Sequence, residues 1–317
     1  MLPIFWVTHP RHMPKPQDKR AVVLDVAFAA GNQYRSKTRP FIDGLGENLV
    51  RWVDHHVHKE GWAEVNDDSR YLLVPNKIAH ACPELITPEL IAAAHDDVGK
   101  PQIIYAHCDF DGLLSAVKWR LGGKEAWPGA DEDARAVDSP GRGHLLTKKG
   151  EHIAWAMDEA SAIYDRKERL RFMSDTADAI TKDEWSIAFE EETRSLAEAG
   201  ENAEKEARAM ALDCGKEEAK GLFVVRADEK LQNRQRRLML IVGEEKASIG
   251  ALYEPDPQGG AWVYAATFDQ RLDLEEVKGF AGGRSDFRFA RAKTGGGKEL
   301  DALAAYLDSL ELDDNDA

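Results

Sequence analysis

The chain has 317 residues, 43% of them hydrophobic, and carries 42 basic against 57 acidic side chains for a formal charge of −15. That is enough chain for two hydrophobic cores, and no apolar run approaches the ~20 residues of a membrane helix. The acidity repels extended nucleic acid and withholds the counterion release that long-strand binders exploit, so a small partner fits this charge better than a long polyanion.

Leu2–Val7 is too short for a signal-peptide core and lacks a basic start. Cys82, Cys108 and Cys214 are odd in number and scattered, which speaks against a disulfide framework and for a reducing cytoplasm. Thr8-His9-Pro10-Arg11-His12 holds two histidines with no Asp-x-Asp after them and reads as a surface loop. Ala21-Val22-Val23-Leu24-Asp25 is a strand-length apolar run ending in an acid. Leu49-Val50-Arg51-Trp52-Val53-Asp54-His55-His56 is a second, ending in Asp-His-His. After a helical stretch over Pro88–His95, the run from Ile103 ends in His107-Cys108-Asp109-Phe110-Asp111-Gly112 and passes into a helix over Leu113–Leu121. Leu170–Thr176 is read as a fourth, less hydrophobic strand carrying Asp175.

Carboxylates at the ends of apolar strands are partly desolvated, and gathering them beside imidazoles is unfavourable without compensating positive charge. A divalent metal supplies it. Mixed Asp and His ligands favour a transition metal, with manganese the first choice. In an open parallel sheet all strand C-termini face one edge, so these residues, remote along the chain, are expected to converge there. Taken alone, each acid has a plainer reading as a helix cap or a solvated turn; their repeated placement after apolar strands favours the metal. Cys108, between the ligands, is expected to be a small buried spacer.

His107-x-Asp109-x-Asp111-Gly112-x-x-Ser115-Ala116, Asp54-His55-His56, the strand-end Asp25 and Ser174-Asp175-Thr176 together resemble the four motifs of the DHH phosphoesterases. The usual motif order is altered, because the lone Asp and Asp-His-His precede the His-x-Asp-x-Asp-Gly motif, as a circular permutation would produce. The resemblance implies a mainly parallel α/β sheet sandwiched by helices, followed by a smaller C-terminal α+β domain. It implies two metal ions, manganese first, with Mg, Co or Fe as alternatives. His107, Asp109 and Asp25 would hold one ion, and Asp111, Asp25, His55 and Asp175 the other, with Asp178 competing with Asp175 as the fourth-motif acid. His56 would face the substrate phosphate and Asp54 would orient an imidazole. The implied activity is hydrolysis of a small phosphodiester or phosphoanhydride by metal-activated water, on a short oligonucleotide, a cyclic dinucleotide or a related compound; a homodimer is compatible with it. Two alternatives stand beside this. Asp109-Phe110-Asp111-Gly112 also resembles the haloacid-dehalogenase phosphatases, with Asp109 as covalent nucleophile, although Leu113 stands where they carry Thr. A non-catalytic nucleotide- or metal-binding sensor is the other.

Residues 1–185 are thus expected to form the metal-binding domain. The stretch from about Lys182 to Ala219 is rich in Glu, Ala, Lys and Arg, with Trp185, Ile187, Phe189 and Leu196 spaced along one helical face, and residues 186–220 are expected as a helical linker. Residues 221–317 form the substrate-binding domain. Its strands are expected over Gly221–Val225, Arg237–Val242, Ala247–Tyr253 and Trp262–Phe268, with a helix starting at Leu272–Val277. Gly282-Gly283-Arg284 resembles the glycine cluster of the DHH-associated domain, with Arg284 where that domain has His. Glycines allow close backbone approach and Arg offers a planar fork, which makes Gly282, Gly283, Arg284 and Arg288 the candidate phosphate-gripping residues. Gly295–Lys298 is read as a hinge, Leu300–Leu310 as the final helix and the Asp-rich end as a solvated tail.

Overall fold

The structure is a computed structural model that describes residues 1–29, 33–138, 146–182, 187–269, 271–274, 276–280, 289–294 and 297–313. The chain divides into two compact units, Met1–Ala199 and Gly200–Ala317.

In the first unit the elements run β1 (Ile4–Val7), β2 (Ala21–Leu24), α1 (Arg39–Leu45), β3 (Leu49–Asp54), α2 (Lys59–Val65), β4 (Tyr71–Leu73), α3 (Pro88–Val98), β5 (Ile103–His107), α4 (Phe110–Arg120), α5 (Ala130–Asp138), α6 (Lys148–Ile163), α7 (Arg166–Thr181) and α8 (Ile187–Cys214). The division between the units falls within α8. The strands form one sheet in the order β1-β5-β2-β3-β4, parallel at every pairing. Both faces of such a sheet must be covered, and the side chains sort by the two-residue period of a strand. Val22, Leu24, Ile104 and Ala106 enter one core with Phe110, Leu113, Leu114 and Ile153. Ala21, Val23, Ile103 and Tyr105 enter the other with Tyr34, Phe41 and Trp52. The expected parallel α/β sheet is present; Asp25 directly follows its central strand β2, and the flanking β3 and β5 end at Asp54 and His107.

The expected strand over Leu170–Thr176 is instead part of helix α7. Asp165 and Glu168 form a reciprocal capping box at its start, and Met173, Ala177 and Ile180 are buried at helical spacing.

The second unit contains β6 (Gly215–Ala219), β7 (Leu222–Arg226), α9 (Asn233–Lys246), β8 (Ile249–Pro255), β9 (Ala261–Ala266), β10 (Phe289–Thr294) and α10 (Lys298–Asp313). Its mixed sheet runs β10-β9-β8-β7-β6, parallel only between β7 and β8. Two expectations are corrected here. Arg237–Val242 lies in α9, which begins with a Gln232–Gln235 capping box and buries Leu238, Met239 and Val242. Residues 272–274 and 276–280 form turns, held because Leu272, Leu274, Val277 and Phe280 all pack into the core with α10 residues Leu300 and Leu303. Gly282, Gly283, Arg284 and Arg288 lie outside the described residues.

Candidate metal centre

Asp25 follows β2 directly and is fully buried. It is the one non-glycine residue with a positive φ, +56°, among those described. Asp tolerates this left-handed conformation better than most residues, and its N–H donates to the Val53 carbonyl at 2.9 Å. The bend turns the carboxylate at the C-terminal edge of the sheet toward the ends of β3 and β5. Asp25 Oδ1 lies 3.4 Å from His55 Nε2 and 3.6 Å from His56 Nδ1, and Oδ2 lies 3.8 Å from His107 Nδ1.

Each neighbouring side chain of the cluster is held in place by its surroundings. His55 is fully buried, and its Nδ1 donates to the Ala79 carbonyl at 3.0 Å. A carbonyl only accepts, so the Nδ1 proton is fixed and Nε2 faces the carboxylates of Asp25, Asp111 (3.2 Å) and Asp138 (3.7 Å). Asp109 caps the start of α4, accepting from Gly112 N at 2.9 Å, while its Oδ2 sits 2.6 Å from His107 Nδ1. Asp111, in the first turn of the same helix, accepts from Cys82 N with both oxygens, at 3.1 and 3.0 Å. A Cβ on Gly112 would collide with the His107 carbonyl, so this tight strand-to-helix passage requires glycine. His56, 28% exposed, has its Nδ1 2.9 Å from Asp54 Oδ1, and Asp54 is buried.

Three sets of side chains therefore offer donor atoms within 4.8 Å of one another: Asp25, His55 and His56; Asp25, His107 and Asp109; and His55, Asp111 and Asp138. Asp25 belongs to two of them. Seven of the residues named from the sequence, Asp25, Asp54, His55, His56, His107, Asp109 and Asp111, are brought together.

Asp175 is not. It lies exposed on α7 and belongs to none of the three sets, because the helix turns it outward while Met173 and Ala177 face the core. Asp178, its competitor, pairs with Arg120 at 2.8 Å. The acid that reaches the cluster is Asp138, at the end of α5. Negative charge at a helix C-terminus opposes the helix dipole, and that mismatch, immediately before Ser139-Pro140-Gly141, is the sequence signal for it. Arg169 was missed as well: from α7 its Nη2 donates to the Cys108 carbonyl at 2.7 Å, between His107 and Asp109.

The electrostatics identify what the cluster lacks. Burial works against charge on His55, yet the carboxylates of Asp111, Asp25 and Asp138 outweigh it and hold the imidazole well above its usual range. His107 is raised in the same way, by Asp109 and Asp25 against burial. His56 is raised too, with burial and His55 opposed by Asp54 and Asp25. Burial lifts the Asp111 carboxyl well above the ordinary range, and the Asp25 charge adds to that lift against His55. Asp109 goes the other way: burial would raise it, but the adjacent His107 holds it below. Burial, with Asp25 and Asp111 nearby, keeps the Cys82 thiol protonated and makes it a poor ligand.

Both oxygens of Asp25 and Nε2 of His55 are buried without a hydrogen-bond partner of good geometry. Orphaned buried polar atoms are rare, and here they point at one another. Imidazole nitrogens and carboxylate oxygens in this number suit a divalent transition metal, which supplies the missing positive charge. In the motifs that build the cluster, the chain resembles the DHH phosphoesterases.

No family model matches the sequence, and no curated protein matches it. Among solved structures, it is similar to a pGpG-specific phosphodiesterase, PggH from Vibrio cholerae, with 14% identity over 93% of this chain and 100% of that one, at a TM-score of 0.47. It is also similar to an exopolyphosphatase-related protein from Bacteroides fragilis, with 11% identity over 92% of this chain and 71% of that one, at a TM-score of 0.42. Exonuclease RecJ bound to manganese shares 16% identity over 92% of this chain and 75% of its own, at a TM-score of 0.41. Among the described residues no helix is long and apolar enough to cross a membrane.

Proposed function

We propose that this chain is a metal-dependent phosphoesterase that hydrolyses a small phosphodiester or phosphoanhydride, such as a short oligonucleotide or a cyclic dinucleotide, with two manganese ions. The observation that carries this reading is Asp25, buried at the meeting point of two donor sets with both carboxylate oxygens lacking a hydrogen-bond donor. His107, Asp109 and Asp25 would hold one ion, and His55, Asp111 and Asp138 the other, with Asp25 shared. When bound, the ions supply a water acidic enough to attack near neutral pH and positive charge against the phosphate oxygens.

The remaining work falls to the chain's own groups. Asp54 accepts from His56 Nδ1, fixing the ring and favouring its protonated form, which leaves the Nε2 proton for a phosphate oxygen of the substrate. His55 and Asp111 are held from behind by Ala79 O and Cys82 N, so they need not reorganise when substrate enters. Asp109 is poorly placed to attack phosphorus, because one of its oxygens is engaged by Gly112 N and the other lies against His107; this favours the metal reading over a covalent nucleophile. The motif order is read as a circular permutation, since β2 and β3 precede β5 along the chain yet lie in sequence beside it in the sheet.

The test is to strip the protein with a chelator, reload it with Mn, Mg, Co or Fe, and assay a linear dinucleotide, a cyclic dinucleotide, pyrophosphate and a generic phosphodiester. Metal-dependent product release with at least one of them is the expected result. Saturable binding with no product for any substrate under any metal would replace the enzyme with a binding module.

A further inference from the structure

This inference rests on the two-metal reading and extends it to the group that delivers Asp138. We propose that Lys118, buried on α4, is the positioning residue for the ion held by His55, Asp111 and Asp138, because it clamps α5 against α4 through Asp131.

The two helices pack together and face each other as an antiparallel ladder with two rungs. Lys118 follows Asp111 by about two turns on α4, and Asp131 precedes Asp138 by about two turns on α5. Each pair therefore lies on one face of its helix, ~10 Å apart along the axis. At one rung the Lys118 ammonium pairs with the Asp131 carboxylate. At the other, Asp111 and Asp138 bring oxygens within 4.8 Å of each other and of the His55 ring.

The rungs act in opposite directions. Two carboxylates this close repel until a cation lies between them, and the dipole of α5 disfavours Asp138 at its C-terminus. Lys118, in the last turn of α4, and Asp131, in the first turn of α5, stand where the helix dipoles favour them. Their attraction offsets the repulsion at the other rung and keeps α5 seated before metal arrives.

A third segment is fastened by the same ammonium. Lys118 Nζ donates to the Pro83 carbonyl at 2.9 Å, in the 3₁₀ turn Cys82–Leu85 whose first N–H holds both oxygens of Asp111. Arg135, on α5, reaches this turn as well, with its Nε donating to Glu84 Oε1 at 2.5 Å. Lys118 is only 6% exposed, so its charge is compensated by these acceptors and not by water. One buried cation thus ties together the helix that carries Asp111, the turn that orients it and the helix that carries Asp138. Arg120, in the same helical turn, is directed elsewhere, to the Leu2 carbonyl and Asp178.

The experiment titrates manganese calorimetrically into the stripped full chain and records electron paramagnetic resonance spectra of the loaded protein, for wild type, Lys118→Met, Asp131→Asn and Arg120→Met. Wild type is expected to take up two ions and to show the spectrum of a spin-coupled manganese pair. Lys118→Met should keep one ion at wild-type affinity and bind the other about tenfold more weakly, so that the coupled spectrum fades at limiting metal. Asp131→Asn preserves shape and should shift the same ion by a smaller factor; it decides the matter if Lys118→Met does not fold. Arg120→Met should lower the Tm of stripped protein yet leave both ions bound. Two ions at wild-type affinity in Lys118→Met and Asp131→Asn, or a uniform weakening of both ions that Arg120→Met shares, would overturn the proposal and leave the two-metal centre standing. Fewer than two ions in wild type would remove the two-metal reading itself, and this inference with it.

Discussion

Each unit of the molecule buries a carboxylate completely, and the two are treated in opposite ways. In the second unit Glu254, on β8, receives Arg236 at 2.8 Å, Leu231 N at 3.2 Å and the Tyr264 hydroxyl at 3.3 Å, and the Arg236 guanidinium also lies over the Tyr264 ring. In the first unit Asp25 has no donor for either oxygen, and Asp111 and Asp138 approach the same imidazole. A buried charge that folding alone maintains is neutralised by the chain itself, as Glu254 is. One left among other acids, as Asp25 is, suits a cation supplied from outside the chain. The difference separates a structural ion pair from a ligand site without reference to any relative.

The sharpest way to break this comparison is a pair of substitutions with effects of opposite sign. Glu254→Ala would remove the acceptor of Arg236, Leu231 N and the Tyr264 hydroxyl together and should destabilise the protein by roughly 2–4 kcal/mol while leaving the candidate metal centre unaltered. Asp25→Asn preserves shape and tolerates the positive φ, but removes one negative charge from a cluster with too many. The metal-free variant should melt above the metal-free wild type, and its metal-dependent hydrolysis should vanish. Thermal melts of chelator-treated protein check both, and an Asp25→Asn variant that melts lower would show that Asp25 is structural like Glu254.

Metal addition sharpens the same contrast at smaller amplitude. A ligand that binds only the folded state at a hundredfold excess over its Kd contributes about 2.7 kcal/mol, or roughly 5–10 °C in Tm for a unit of this size. Wild type and Glu254→Gln should both show that rise when manganese is added to stripped protein. Asp25→Asn and Asp138→Asn should lose most of it, and Asp175→Asn should keep it. An unresponsive Asp175→Asn would restore Asp175 to the ligand set in place of Asp138.

The contrast between Asp138 and Asp175 also shows where the sequence was legible. β2, β3 and β5 could be read because each is a short apolar run that stops at an acid or imidazole, and burial on both faces removes any competing helical pattern. Leu170-Arg171-Phe172-Met173 looks similar over four residues. The deciding signal lay upstream, in the Asp165-x-x-Glu168 cap. The same kind of cap, Gln232-x-x-Gln235, marked α9, where Arg237–Val242 reads as a strand by its apolar residues alone. Asp138 ends a charged helix, with no apolar run before it, and it joins the cluster only through tertiary packing. The Ala79 carbonyl and the Cys82 amide that hold His55 and Asp111 are backbone groups, which leave no trace in residue type.

Arg169 gives the smallest of these effects and separates positioning from charge. Its Nη2 donates to the Cys108 carbonyl at 2.7 Å, while its Nε is buried without a partner. It pins from outside the loop between His107 and Asp109, two of the candidate metal ligands. A guanidinium reaches that carbonyl with a rigid plane, whereas a lysine ammonium on a flexible stem restores the charge without the geometry. Arg169→Lys should therefore weaken manganese binding by about tenfold, in the range of supporting contacts around metal ligands, and shift the melting of metal-free protein little. Calorimetric titration of manganese into Arg169→Lys and Arg169→Ala measures this directly. Because only the pinned geometry distinguishes Arg from Lys here, wild-type affinity in Arg169→Lys combined with loss in Arg169→Ala would assign the effect to charge instead.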